Sequence, residues 1–230
     1  MLRIKKETKM SILTLENIRK SYPDGEGGLR TVLGGLSLSL ERREFIAVTG
    51  PSGSGKTTLL RIAGTLLEPD SGKVFIDGQE ISPGEDHSLI RNRKIGFVFQ
   101  DHRLLPQLTV LQNVLLPALA SAEKVPSETE KYALSLLEYA GISSLSGKYP
   151  SAISGGEGGR VALCRALVMK PAIILADEPT GQLDHENALK IASLLGKVCD
   201  DFGTGVVMVT HSDEVAAVAS RKIGLSSLND

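Results

Sequence analysis

The sequence has no tryptophan, and aromatic residues make up only 4% of its 230 positions. Its core must therefore come from Val, Ile, Leu and Ala. Cysteine is nearly absent. Cys164 and Cys199 stand in no metal or redox spacing, so they read as reduced, buried thiols of a cytosolic protein. No sign of charge dominates, with 26 Lys and Arg against 27 Asp and Glu. That balance excludes the basic excess of a dedicated duplex binder, so no nucleic-acid partner is expected. Long apolar runs are missing too: stretches such as 172–176 and 206–209 fall far short of the roughly 20 residues of a membrane span. Residues 1–10 carry Arg3, Lys5, Lys6 and Lys9, but no apolar signal region follows, so residues 1–11 read as a solvated basic tail.

What is abundant is glycine, at 24 residues. With 41% hydrophobic and 23% charged residues, the chain is globular and long enough to bury a core. Apolar alternation at Leu13 and Leu15 predicts a half-buried strand. Strands are also predicted over 45–49, 74–76 (entering a tight turn at Asp77-Gly78), 95–99, 173–176 and 206–209. Helices are predicted over 56–67, over 127–140 with a capping-box spacing of Ser127 and Glu130, after Gly156, and over 185–198. Strands alternating with helices imply an α/β fold with a largely parallel sheet. The N-terminal part is richer in strands, and 101–165 is more helical.

The run Gly50-Pro51-Ser52-Gly53-Ser54-Gly55-Lys56-Thr57 fits G-x-x-x-x-G-K-[ST] in full. It stands between a buried strand and a helix, where such a loop can turn its backbone N–H groups around a phosphate. Lys56 is expected to reach the β- and γ-phosphates and Thr57 to hold Mg²⁺. Thr58 extends the nucleotide-binding set. Further on, an apolar strand ends in Asp177-Glu178. Alone, these read equally well as solvated turn acids before Pro179. Behind a phosphate loop, Asp177 is expected to assist Mg²⁺ through water, and Glu178 to orient and deprotonate the attacking water.

Between the two motifs lies Ile153-Ser154-Gly155-Gly156-Glu157. It resembles the signature motif of the ABC (ATP-binding cassette) ATPases, LSGGQ, in which Glu is common at the last place. Gln100 matches the family's Q-loop, Asp184 its D-loop (with Gln182 where Asn or Ser is usual), His211 its switch histidine, and Tyr22 the aromatic that stacks on adenine. The resemblance covers about 12–226, which is read as one ABC ATPase domain, with 227–230 as a tail. It implies a RecA-like P-loop core with a parallel sheet, an N-terminal antiparallel β subdomain, and a helical subdomain at about 101–165 carrying the signature. It further implies ATP and Mg²⁺ as cofactors, with Gln100 sensing the γ-phosphate and contributing to the metal site. His211 is implied to hold the water and Glu178. Ser154, Gly155, Gly156 and Glu157 are implied to contact the ATP of a second copy, so that the chain dimerises when ATP binds.

The segments 99–106 and 108–114 resemble the group that contains LolD, MacB-type exporter ATPases and FtsE, with 102–106 most like LolD. This implies a subunit that energises separate integral membrane permease subunits, in lipoprotein release or MacB-like export, on the inner face of the cytoplasmic membrane. The competing functions are a soluble ABC ATPase acting on DNA or ribosomes, and an FtsE-like regulator of cell-wall hydrolysis. One departure stands out. Gly158 and Gly159 replace the Arg-Gln or Lys-Gln usual after the signature. Each Gly costs about 0.8–1.0 kcal/mol relative to Ala in a helix. Two readings stand equally: a looser first turn with weaker ATP-driven dimerisation, which restoring Arg-Gln would tighten, or a helix that tolerates the pair through packing.

Overall fold

The computed structural model describes residues 11–25, 27–120 and 125–225. The tails read from the sequence lie outside these residues, except Ser11, which opens the first strand.

Two sheets organise the molecule. Strands β1 (Ser11–Pro23), β2 (Leu29–Glu41), β4 (Ser71–Ile76) and β5 (Gln79–Glu80) form an antiparallel sheet in the order β2-β1-β4-β5. The alternation at Leu13 and Leu15 places both side chains inside, and the register pairs Tyr22 with Arg30. Asp77 and Gly78, both at positive φ, make the predicted turn into β5. The second sheet is parallel, in the order β6-β7-β8-β3-β9, from β6 (Ile95–Phe99), β7 (Ile173–Asp177), β8 (Gly205–Val209), β3 (Phe45–Thr49) and β9 (Arg221–Gly224). Its central strands read as continuous apolar runs because both faces are covered. Phe45, Ile46, Ala47 and Val48 are all buried, as are Ile173 to Ala176. Each fully buried aliphatic side chain contributes about 1.5–3 kcal/mol, so these short strands are held by packing more than by length.

The helices are α1 (Lys56–Ala63), α2 (Ser88–Lys94), α3 (Val110–Leu119), α4 (Ser127–Tyr139), α5 (Gly155–Leu167), α6 (His185–Phe202) and α7 (Asp213–Ala216). Three expectations need correction. Helix α1 stops at Ala63, short of residue 67, because Gly64 lies against the Phe97 ring and Thr65 takes a left-handed φ of 56°. The capping box proposed at Ser127 and Glu130 does not form: Pro126 is the N-cap, and Ser127 is already helical. Capping boxes occur instead at Thr109 with Gln112 on α3 and at Ser154 with Glu157 on α5. Helix α6 runs on to Phe202, where Gly203 (φ 69°) ends it in the left-handed conformation.

Helices α3, α4 and α5 pack together beside β6, and the segment from 101 to 109 links β6 to them. Asn113 fixes that link. Its buried side chain accepts from the Leu105 N–H at 2.7 Å and donates to the carbonyls of Leu105, Leu108 and Thr109. A buried amide so fully bonded holds an irregular loop in one shape.

Candidate functional site

The carboxyl ends of β3 and β7 open onto a cleft of about 460 Å³. Tyr22, Ser52, Gly53, Gly55, Lys56, Thr57, Thr58 and Glu178 line it. Ligands of open α/β sheets gather at this edge.

The phosphate loop owes its path to glycines. Gly50, Gly53 and Gly55 have φ of 157°, 77° and 100°. Gly55 directly precedes α1, so the positive end of that helix faces the loop. A Cβ at Gly55 would meet Val32 Cγ1 at 2.7 Å, and one at Gly50 would meet Ser54 Oγ at 2.8 Å. Lys56 is 7% exposed, and its Nζ donates to the Gly50 and Pro51 carbonyls, both at 2.8 Å. The ammonium is thus folded inside the loop's curve. Ser54 Oγ is buried there without a hydrogen-bond partner among the described residues. A buried cation and an orphan hydroxyl in a glycine-rich turn at a helix N-terminus suit phosphate oxygens.

Across the cleft, Thr57 Oγ1 donates to Asp177 Oδ1 at 3.2 Å. Burial holds the Asp177 carboxyl above its ordinary pKa; the Thr57 hydroxyl opposes that shift and neighbouring Glu178 reinforces it. Among the described residues, no group of three His, Cys, Asp or Glu could by itself hold a metal ion. A hydroxyl beside one carboxylate nevertheless fits Mg²⁺, which takes one or two protein oxygens and completes its shell with water and phosphate. Glu178 takes a left-handed φ of 46° at the end of β7, pinned by its N–H donating to the Val209 carbonyl at 3.0 Å. His211 Nδ1 lies 2.6 Å from Glu178 Oε2. With the proton on Nδ1, the ring donates to that carboxylate and fixes its direction.

Gln100 follows β6, and its side-chain amide packs over Gly181, where a Cβ would stand 3.0 Å from Nε2. It therefore touches the turn that follows Glu178, but it does not line the cleft. Tyr22 does line it and is half exposed, with its OH 3.5 Å from Thr58 Oγ1. The signature residues lie elsewhere. Ser154 caps α5: its Oγ donates to Glu157 Oε2 at 2.9 Å, as does its N–H at 2.7 Å, and these bonds hold the Glu157 carboxyl below its usual pKa. Asp184 caps α6 through the Asn187 N–H, and the Asn187 side chain abuts Gly156. One chain thus brings together the phosphate loop, Asp177, Glu178 and His211, while Ser154 to Glu157 and Asp184 sit outside that cleft. Helix α5 runs unbroken through Gly158 and Gly159, both buried, so the expected loosening of its first turn is not seen.

The pattern of the ABC transporter family matches residues 33–181. The chain belongs to the ABC transporter family. It is 46% identical over 207 residues to the lipoprotein-releasing system ATP-binding protein LolD 1 of Rhodopirellula baltica, covering 89% of this chain and 90% of that protein. It is 42% identical to LolD of Bacteroides fragilis, over 92% of this chain and 96% of the relative. Among solved structures, the dimeric bacterial ABC transporter cassette MJ0796 superposes with a TM-score of 0.82 at 41% identity, over 92% of this chain and 93% of the other. A second structure of that cassette, a dimeric post-hydrolysis state bound to ADP and Pi, matches equally well, at 40% identity.

Sequence reasoning missed Arg30, Val32 and Pro23, which also line the cleft. Pairing of β2 with β1 brings Arg30 opposite Tyr22, a register that residue types alone do not give. It also passed over His102 as a contact of the signature helix.

Proposed function

We propose that the chain is the ATP-hydrolysing subunit that energises a separate membrane permease, and that the complex serves lipoprotein release. The observation that carries the ATPase reading is the cleft itself. A complete phosphate loop faces Glu178, whose carboxylate is oriented by His211 at 2.6 Å. Lipoprotein release rests on the LolD relatives, which match along about nine-tenths of the chain. No helix among the described residues is long and apolar enough to cross a membrane, in keeping with a subunit bound to the inner face of the cytoplasmic membrane by its permease. The apolar groove lined by Leu89, Phe97, Phe99, Pro117 and Met169 supports a permease segment docking between β6 and the helices. The DNA- or ribosome-directed and FtsE-like alternatives find no comparable support.

In this reading, ATP enters the cleft with its adenine against Tyr22 and its phosphates in the Gly50–Thr58 loop. Lys56 exchanges the Gly50 and Pro51 carbonyls for β- and γ-phosphate oxygens. Thr57, and Asp177 through water, would hold Mg²⁺, with Gln100 joining them from its place over Gly181; the ion would neutralise charge on the phosphate oxygens when bound. Glu178 accepts a proton from the attacking water as its oxygen bonds to the γ-phosphorus and the bond to the β-phosphate oxygen breaks, releasing ADP and phosphate. His211 keeps Glu178 in line. Ser154, Gly155, Gly156 and Glu157 reach the γ-phosphate bound by a second copy, and Asp184 stands beside them, so hydrolysis needs a dimer. MJ0796, solved as a dimer, supports this. Membrane solubilisation and pull-down of the tagged chain tests the partnership: an integral permease is expected to co-purify, and Leu89→Asp is expected to release it. Recovery of the chain with ribosomes or DNA instead would overturn the reading.

A further inference from the structure

The glycine pair at 158 and 159 has a partner in the segment just past Gln100. His102 lies against the bare first turn of α5. A Cβ at Gly158 would stand 3.0 Å from His102 Cδ2, and one at Gly159 would stand 3.5 Å from His102 Cε1. The ring reaches across to the signature itself, its Nε2 lying 3.0 Å from the Gly155 carbonyl. With the proton on Nε2 it donates to that carbonyl; Nδ1 is buried without a partner among the described residues. The far end of the same helix grips the same turn. The Arg165 guanidinium donates to the carbonyls of His102 and Arg103 at 2.6 and 2.7 Å. His102 and Arg103 are successive non-glycine residues at left-handed φ of 55° and 48°, a conformation that persists only where surrounding contacts impose it.

We propose that His102 is a positioning residue that locks the signature loop to the segment following Gln100, and that Gly158 and Gly159 are the bare surface that admits its ring. The inference deepens the ATPase reading and rests on it for its consequence. The glycines are not a defect of the helix. A side chain at 158 would press the imidazole off the Gly155 carbonyl, and one at 159 would crowd Ile191 at 3.3 Å, so restoring Arg-Gln is expected to loosen the signature rather than tighten the dimer. A change sensed at Gln100 moves a turn that is bonded to both ends of α5, and the signature loop moves with it. Nucleotide binding by one copy thereby sets how Ser154 is presented to the other.

The test uses the full chain carrying Glu178→Gln, with His102→Ala, His102→Gln, Gly158→Ala and the pair His102→Ala/Gly158→Ala. Hydrogen exchange of the amides of 158–161 in the nucleotide-free chain reads the lock directly. Analytical ultracentrifugation with ATP reads dimerisation, and a fluorescent ATP analogue reads binding. His102→Ala is expected to speed exchange about ten-fold and raise the dimer Kd at least five-fold, with the analogue's affinity within two-fold of the parent. His102→Gln, which keeps a donor of similar reach, is expected to recover most of both. Gly158→Ala is expected to act in the same direction, and the double variant to be no worse than the worse single one. Unchanged exchange in His102→Ala, or losses that simply add in the double variant, overturns the lock. Faster exchange as expected in a parent that never dimerises with ATP upholds the lock and instead overturns the dimeric ATPase reading.

Discussion

The phosphate loop and the signature loop are both rich in glycine, yet only the first needs it for the path of its backbone. Gly50, Gly53 and Gly55 adopt φ between 77° and 157°, where L side chains are strained. Gly155, Gly156, Gly158 and Gly159 lie in α5, and none of them has positive φ. There glycine matters for what comes close: Leu183, Asn187, His102 and Ile191 all crowd the positions where a Cβ would stand. The phosphate loop needs glycine for the path of its own backbone and, at Gly50 and Gly55, for close approach as well. The other needs it to be touched by its neighbours. In the proposed function, the first serves chemistry within one chain, and the second serves presentation to another.

The widest separation between the two sides is expected from Glu178→Gln. Loss of a general base lowers turnover by about 10²–10⁴-fold, while the phosphate loop and the signature are untouched. ATP binding and ATP-driven dimerisation should therefore survive, and the dimer should persist. Steady-state phosphate release together with sedimentation checks both; full residual turnover would remove Glu178 from the role of base. Next in size comes Gly55→Ala. The left-handed backbone costs a non-glycine residue about 1–2 kcal/mol, and the new methyl meets both Val32 Cγ1 and the Val32 carbonyl oxygen, at 2.7 and 3.0 Å. A lower Tm and at least a ten-fold loss of affinity for a fluorescent ATP analogue are expected in the isolated chain.

Gly156→Ala should do the reverse. Its backbone is helical, so alanine gains about 1 kcal/mol of helix propensity. Its methyl would lie 3.1 Å from Asn187 Cγ and Oδ1, so Asn187 must shift, and Asn187 holds Asp184. The expectation is nucleotide affinity and Tm near those of the parent, with ATP-dependent dimerisation several-fold weaker. Loss of nucleotide binding in this variant would collapse the distinction between the loops.

The same contrast explains what could be read in advance. The phosphate loop is a local object: its residues are contiguous and its conformation follows from glycine spacing, so Gly50 to Thr57 was legible outright. Four strands of the parallel sheet were legible too, because strands buried on both faces appear as unbroken apolar runs; the edge strand β9, with Arg221 and Lys222, was not. Helix ends were read less well, because they are set by tertiary contact: α1 ends where Phe97 covers Gly64, and nothing in 56–67 announces a ring from β6. The glycine pair after the signature was visible as a departure, yet its reason was not. Its partner His102 lies more than fifty residues away in sequence and is brought there by the turn that Arg165 and Asn113 hold.

The smallest effects set the backbone reason for glycine against a position that has neither reason. Gly53 has φ 77°, and its nearest neighbour to a new Cβ is Arg30 Nη2 at 3.7 Å, ordinary contact. Gly53→Ala therefore carries the conformational cost without a collision, about 1–2 kcal/mol. Gly147 has neither positive φ nor any atom within 4 Å of a new Cβ. There alanine only restricts the unfolded chain, which stabilises by about 0.4–1 kcal/mol. At about 2–4 °C per kcal/mol for a chain of this size, Gly147→Ala should melt slightly higher than the parent and Gly53→Ala lower, with ATPase unchanged in the former. Thermal unfolding of the nucleotide-free chain decides it. Equal losses at both positions would mean that removing glycine is harmful wherever it stands, and positive φ would not be what the phosphate loop needs glycine for.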